Sequence, residues 1–172
     1  LALLAFWGVN SVYTINPQEV GVELRFGKPK PELSGPGLHF MLWPIETVER
    51  ATTTVNQTQI GSTPTAASAS NRNQRSGDGL MLSGDQNIVS VQFSVFWAIN
   101  DPVAYLFNVR DQESMVRNAA ESAMREVVGR RPAQDIYSDD RAGIQQEVLR
   151  ITQNTLSNYG LGVNVSQILI EN

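Results

Sequence analysis

One histidine, His39, and no cysteine are available for chemistry in this 172-residue chain. A histidine can act as general base to a serine, and Ser34 stands shortly before it. Such a pair is defined by geometry and by a third, orienting group, not by closeness in sequence. No G-x-S-x-G, H-E-x-x-H or G-x-x-x-x-G-K motif accompanies it, and "GDGLMLSG" lacks the spacing of a dinucleotide loop. His39, following Gly-Pro-Gly-Leu, therefore reads as a turn or packing residue. A zinc site draws on three or four ligands, usually several His or Cys, and one His with no Cys argues against one. Asp85 and Asn87 could offer oxygens to calcium, but such a site takes 6–8 of them, and both read as turn formers. The expectation is a chain without catalytic, cofactor-binding or metal-binding residues. A net charge of −4 and a pI near 5.0 also argue against a nucleic-acid partner, which calls for a basic face.

Two other groups of residues suggest contacts rather than reactions. Glu113, Arg117, Glu121 and Arg125 recur every fourth residue, so opposite charges meet along one helix flank. That flank is either a solvated face or a contact with a neighbouring subunit in a ring. Leu38, Phe40, Met41, Leu42, Trp43 and Ile45 form a dense apolar patch behind the Gly35-Pro36-Gly37 bend. It reads either as core beneath the bend or as a surface that dips into a membrane.

The N-terminal run bears on that choice. Leu1 to Val9 is uncharged, too short to span a bilayer alone, and it lacks the basic n-region and cleavage site of a signal peptide. Trp7 sits where an aromatic belt would mark the boundary with water. The run reads as the outer end of a membrane anchor, with Phe6 and Trp7 in contact with lipid; the alternative is a core strand running into "VYTI". The first basic residue after it is Arg25, so the flank lacks the positive charge of a cytoplasmic side.

The elements that must position these residues follow from periodicity. "VYTINPQEVGVELRFGKPK" predicts two strands around an Asn16-Pro17 turn, with Val20, Val22, Leu24 and Phe26 on a buried face. Glu46 to Ile60 favours strand, and Gly61 to Gly79 is a polar loop. Leu80–Leu82 and the alternation Val89, Val91, Phe93, Val95 flank a turn at Ser83–Asn87. Asp101-Pro102 starts a short helix. Asp111 caps a longer one with Val116, Ala119, Ala120, Ala123 and Val127 inward, closed by Gly129 and Pro132. After a short element in "AQDIYS" comes a helix from about Asp139, with Ile144, Val148, Ile151 and Thr155 on one face, Leu149 and Leu156 beside it, and Gly160 at its end. "GVNVSQILI" returns to strand. The fold class is α+β, a mostly antiparallel sheet with helices packed on one side.

"YTINPQEVGVELRFGK", "GPGLHFMLWPIETVE", "LMLSGDQNIVSVQFSVFWAINDPVAYLFNVRD" and "RNAAESAMREVVGR" resemble, in order, the SPFH or band 7 superfamily of stomatins, prohibitins, flotillins and the HflK and HflC proteins. The turn, the "DPVAYLFNVRD" junction and "AAESAMREVVG" are most like its bacterial HflK type. The resemblance implies an SPFH domain over 13–172, with a membrane-proximal part at about 13–79 and a second part at about 80–172. It implies that residues 1–12 end a transmembrane helix and that a coiled coil follows outside this chain. It further implies a single-pass protein of the bacterial inner membrane with its SPFH domain in the periplasm. Such a subunit is a scaffold rather than an enzyme. It co-assembles with an HflC-like subunit into a large hetero-oligomeric cage around the AAA protease FtsH, touches lipid, and modulates degradation of membrane proteins without a cofactor. Two alternatives stay open: a membrane-bound peptidase subunit, and a stomatin-like lipid-organising module without a protease partner. The loop at 61–79 is longer than the family's usual connection.

Overall fold

The computed structural model describes residues 6, 8–43, 45–61 and 79–171. Ten strands and three α-helices follow one another along it: β1 (Val12–Ile15), β2 (Glu19–Arg25), β3 (Lys28–Ser34), β4 (Gly37–Phe40), β5 (Glu46–Thr52), β6 (Asn56–Ile60), β7 (Leu80–Leu82), β8 (Ile88–Ser90), β9 (Phe93–Ile99), α1 (Pro102–Phe107), α2 (Gln112–Val128), α3 (Arg141–Asn158) and β10 (Val163–Ile170). A single π-helical turn, Asp135–Asp139, stands between α2 and α3. Every ladder is antiparallel, but the expected single sheet is divided into four: β1-β4, β3-β2-β5, β10-β9-β6 and β7-β8. β6 precedes the long polar stretch and still pairs with β9, in register from Asn56↔Trp97 to Ile60↔Phe93. Of the N-terminal run, Phe6, Gly8 and Val9 are described; they are helical and exposed, not a core strand. The rest of that run, including Trp7, and loop residues 62–78 lie outside the described residues. No helix among the described residues is long and apolar enough to cross a membrane.

The main core lies between β10-β9-β6 and the helices. Phe93, Val95 and Trp97 alternate on the inner face of β9, opposite Val116, Ala120, Ala123, Met124 and Val127 of α2. β10 carries a bulge between Val165 and Gln167. The extra residue restores the inward set, so Val163 and Val165 are followed by Ile168 and Ile170. On α3 the fully buried residues are Ile144, Val148, Thr152 and Leu156. The expected positions Ile151 and Thr155 are half-buried, because the contact stripe runs in steps of four, one residue over. Both N-caps form as expected. Asp101 accepts from the Val103 and Ala104 N–H groups, and Asp111 from that of Ser114.

The smaller sheets hold two departures. β3 and β4 are strands where the sequence shows only prolines and a bend. β3 is an edge strand, which tolerates the missing N–H groups of Pro29 and Pro31. Phe26, expected on the buried face of β2, is 78% exposed, because the strand ends at Arg25 and Phe26-Gly27 turn the chain back into β3.

Candidate functional site

The apolar patch is built on a charged foundation. Glu46, at the start of β5, is only 3% exposed. Its carboxylate accepts from the Leu42 N–H at 2.9 Å, Lys30 Nζ at 2.8 Å and Arg25 Nε at 3.1 Å. The Leu42 amide first, and then Lys30, bring its pKa down to about 2. Lys30 also meets Glu23 at 2.8 Å. Burial acts to raise the Glu23 pKa, but hydrogen bonds from Lys30, Tyr13 and Ser34 outweigh it and hold the group below its ordinary value. The Tyr13 hydroxyl donates to Glu23 at 2.6 Å and lies 3.0 Å from Ser34 Oγ. Burial, then the Glu23 hydrogen bond, raise the Tyr13 pKa.

This cluster fixes a tight reversal of the chain above it. Ile45 and Glu46 donate their N–H groups to the Leu42 carbonyl at 2.9 Å, and Met41 donates to Ser11 at 2.8 Å. The reversal turns its side chains outward. Leu38 is 61% and Phe40 73% exposed, and Leu42, Trp43 and Ile45 are exposed as well. The patch is surface, not core beneath the bend. Phe6 meets Trp43 edge to face with ring centroids 6.4 Å apart, which joins the N-terminal helical residues to it. The tip of the β2–β3 hairpin belongs to the same surface, since the Phe26 N–H donates to the Ile45 carbonyl at 3.2 Å. Phe26 has φ 53° and Gly27 φ 76°. Positive φ at both central residues of a two-residue turn favours Asn or Gly at the first, and a bulky residue there is strained. Phe26 was missed because "VGVELRF" alternates cleanly; the signal against it was the Gly that follows and the basic residue on either side.

The remaining candidates are placed apart from one another. His39 stacks on Tyr13 with centroids 5.5 Å apart, and its Nε2 lies 2.7 Å from the Gly35 carbonyl. Ser34 is bonded to Tyr13 and Glu23 rather than to His39, so no serine–histidine pair forms. Asp85 accepts from Ser83, from Asn87 Nδ2 at 2.8 Å and from the Ala133 N–H at 3.1 Å, which ties the β7–β8 hairpin to the connection after α2. Among the described residues no group of three or more His, Cys, Asp or Glu could hold a metal. On α2, Arg125 pairs with Glu121 at 2.6 Å. Glu113, at the start of the same helix, borders a recess with Trp97 and Tyr105.

The family described as SPFH domain / Band 7 matches residues 13–172. The chain belongs to the SPFH/band 7 family. Three curated relatives are HflK proteins. Protein HflK of Treponema pallidum is 34% identical over 163 residues, 92% of this chain and 49% of that protein. Protein HflK of Vibrio cholerae is 32% identical over 96% of this chain and 38% of its own length. The Escherichia coli K12 protein named "Modulator of FtsH protease HflK" is 28% identical over 97% of this chain and 36% of its own length. The chain thus spans half or less of these relatives, and the shared part is the SPFH domain. In this SPFH domain Glu23, Glu46, Asp85 and Glu171, the carboxylates with lowered pKa values, accept structural hydrogen bonds, and Leu38, Phe40, Leu42 and Trp43 stand exposed.

Proposed function

We propose that this chain is the SPFH portion of an HflK-like scaffold subunit that modulates a membrane-bound FtsH-type AAA protease and performs no chemistry of its own. The exposed apolar face formed by Phe26, Leu38, Phe40, Leu42 and Trp43, with Phe6 against it, carries this reading. An exposed apolar patch marks a surface that another body covers, and here the run expected to leave the bilayer touches it. Residues 1–12 are read as the outer end of a single inner-membrane span, with the SPFH domain in the periplasm resting on lipid through Phe6, Trp7, Leu38, Phe40, Leu42 and Trp43. Residues of about 13–79 form the membrane-proximal part, and those of about 80–172 the part that faces other subunits. The flank Glu113, Arg117, Glu121 and Arg125 is read as one side of a head-to-tail contact, which closes a ring when the rotation permits. An HflC-like subunit is the neighbour, the product a large hetero-oligomeric cage, and a coiled coil beyond this chain completes it. The name of the Escherichia coli relative, a modulator of FtsH protease, supports the protease partner.

Imaging the full-length protein extracted in a gentle detergent tests this. A large closed particle containing a second SPFH subunit and an AAA protease is expected, and Arg117→Glu should reduce its yield. A monodisperse monomer would overturn the reading, and a closed particle without protease would point to a lipid-organising module.

A further inference from the structure

The tip of the β2–β3 hairpin makes two local choices that both work against stability. The first is Phe26. Its backbone lies at φ 53° and the residue is 78% exposed, so a bulky side chain is strained there without gaining burial. The second is the pair that flanks the two-residue turn. Arg25 and Lys28 stand directly opposite each other in the ladder. Both side chains leave the same face of the sheet, and like charges so placed repel. Both residues are exposed. Glu46 faces Arg25 from β5 and binds its Nε at 3.1 Å, but it also holds Lys30 at 2.8 Å. Lys30 in turn holds Glu23. Arg25 and Lys30 thus match the two carboxylates, and Lys28 adds a positive charge in excess. The bond to Glu46 uses one of the five guanidinium donors, and the Arg25 side chain is 54% exposed. The other acidic residues of these strands are set back from the tip. Glu49 is opposite Val22, Glu32 precedes Leu33, which is the other partner of Val22, and Glu19 opens β2 at its far end. Three residues of strand separate Val22 from Arg25, roughly 10 Å.

A strained aromatic residue between two like charges occupies a turn where Asn or Gly would rest unstrained. Backbone strain of this kind collects where a ligand is clamped. An anion with several acceptor oxygens satisfies both cations at once, the guanidinium through its fork and the ammonium as a point charge. Phe26 indicates which anion. Its N–H is bonded to the Ile45 carbonyl at 3.2 Å, so the tip continues the exposed apolar face of Leu38, Phe40 and Leu42. A ring that points out of an apolar face, with a cation beside it on each strand, has the polarity order of a phospholipid, acyl chain beneath and phosphate above. We propose that Arg25, Phe26 and Lys28 form a headgroup site for an anionic phospholipid, with the phosphate between the two cations and the ring in the leaflet beside the acyl chains. This rests on the lipid contact proposed above and adds to it the class of lipid and the residues that select it.

The test uses the full-length protein reconstituted into vesicles of phosphatidylcholine with a minor share of phosphatidylglycerol. Phe26 is replaced by the photo-reactive p-benzoylphenylalanine, which keeps an aromatic ring at the tip. After irradiation, the masses of the adducts at position 26 should show phosphatidylglycerol well above its share of the vesicle. In that background Lys28→Gln should cut the enrichment about fivefold, the share of one basic residue at an anionic surface, while Lys28→Arg should retain it. Lys28→Gln also removes a like-charge pair, so its thermal midpoint should stay level or rise. A midpoint that falls together with the enrichment would give Lys28 a structural role and overturn the inference. The same photo-reactive residue at Phe40, 73% exposed on the apolar face, separates this inference from the reading beneath it. Lipid adducts from position 40 but none from position 26 would overturn the headgroup site and leave the membrane face standing. So would a cross-link from position 26 to protein instead of lipid, or adducts there that mirror the vesicle composition. No lipid adduct from either position would overturn both.

Discussion

Phe26 and Glu46 are two single residues that hold the apolar face in place by opposite means. Phe26 sits in left-handed backbone, which costs a non-glycine residue about 1–2 kcal/mol, and its ring is turned to the outside. Phe26→Asn keeps the turn and relieves the strain, so thermal stability should rise by about 1 kcal/mol, or roughly 2–4 °C for a chain of this size. The same change should weaken contact with anionic vesicles; a variant that is more stable and binds equally well would show that the tip does not meet lipid. Glu46 works from beneath. Its pKa falls from 4.5 to about 2 on folding, so its contribution is complete above about pH 4.5 and is lost as the pH drops from there toward 2. Glu46→Gln removes the charge from three hydrogen bonds and should cost about 2 kcal/mol at neutral pH. Urea midpoints measured from pH 6 down to pH 2.5 should fall less steeply in the variant, with Glu23, Asp85 and Glu171, whose pKa values are also lowered, accounting for the remaining slope. At this scale the sequence was readable where a residue type has one common use, as with the caps Asp101 and Asp111. It was unreadable at Glu46, whose burial depends on Lys30 and Arg25 arriving from two other strands.

The elements themselves were legible in proportion to how local their causes are. α2 shows its apolar face in spacing alone, and β9 shows its alternation. β3 carries two prolines and hardly any buried side chain; it is a strand because a two-residue turn delivers it to the edge of β2, and no local pattern reports that. The β7–β8 hairpin is legible as a turn, but its docking is not, since Ala133 and Arg131 lie more than forty residues on. Gly84 is the close point of that docking. Its N–H donates to the Arg131 carbonyl at 2.8 Å, and a Cβ there would come within 3.1–3.2 Å of the Arg130–Arg131 backbone. Asp85 supplies the side-chain half of the clasp. Asp85→Ala should therefore release the hairpin from the end of α2 rather than unfold it, because the Ala133 N–H loses its acceptor. Amide exchange at Ala133 and Asn87 should accelerate while Val116 to Val127 of α2 keep their protection. Uniform acceleration across the domain would mean that the hairpin is part of the global unfolding unit.

For the whole molecule, the decisive property is that one side of the small sheets is apolar and exposed although the chain has enough core elsewhere to fold. Alternation along the chain identifies strands, but not which strands pair or which face stays uncovered, because both are settled between residues far apart; division of the strands among four sheets is the result. The apolar face and the N-terminal helical residues meet at Phe6 and Trp43, so a lipid surface reached by one is within reach of the other. A leucine or phenylalanine that moves from water into an apolar phase gains about 1.5–3 kcal/mol when fully buried. Leu38 and Phe40 together should then supply at least about 2 kcal/mol of docking, a factor of roughly thirty in the docked population. In full-length protein carrying Trp7→Phe and reconstituted into vesicles with brominated lipids, Trp43 should be quenched, since Trp97 is buried in the core. The double variant Leu38→Ser, Phe40→Ser should lose most of that quenching. Its thermal stability should stay within about 0.5 kcal/mol of the parent, as expected for exposed positions. Emission that brominated lipid leaves untouched in the parent would remove the membrane from this face and assign it to a protein neighbour instead. Loss of stability in step with loss of quenching would show that the patch is held in place by packing rather than by lipid.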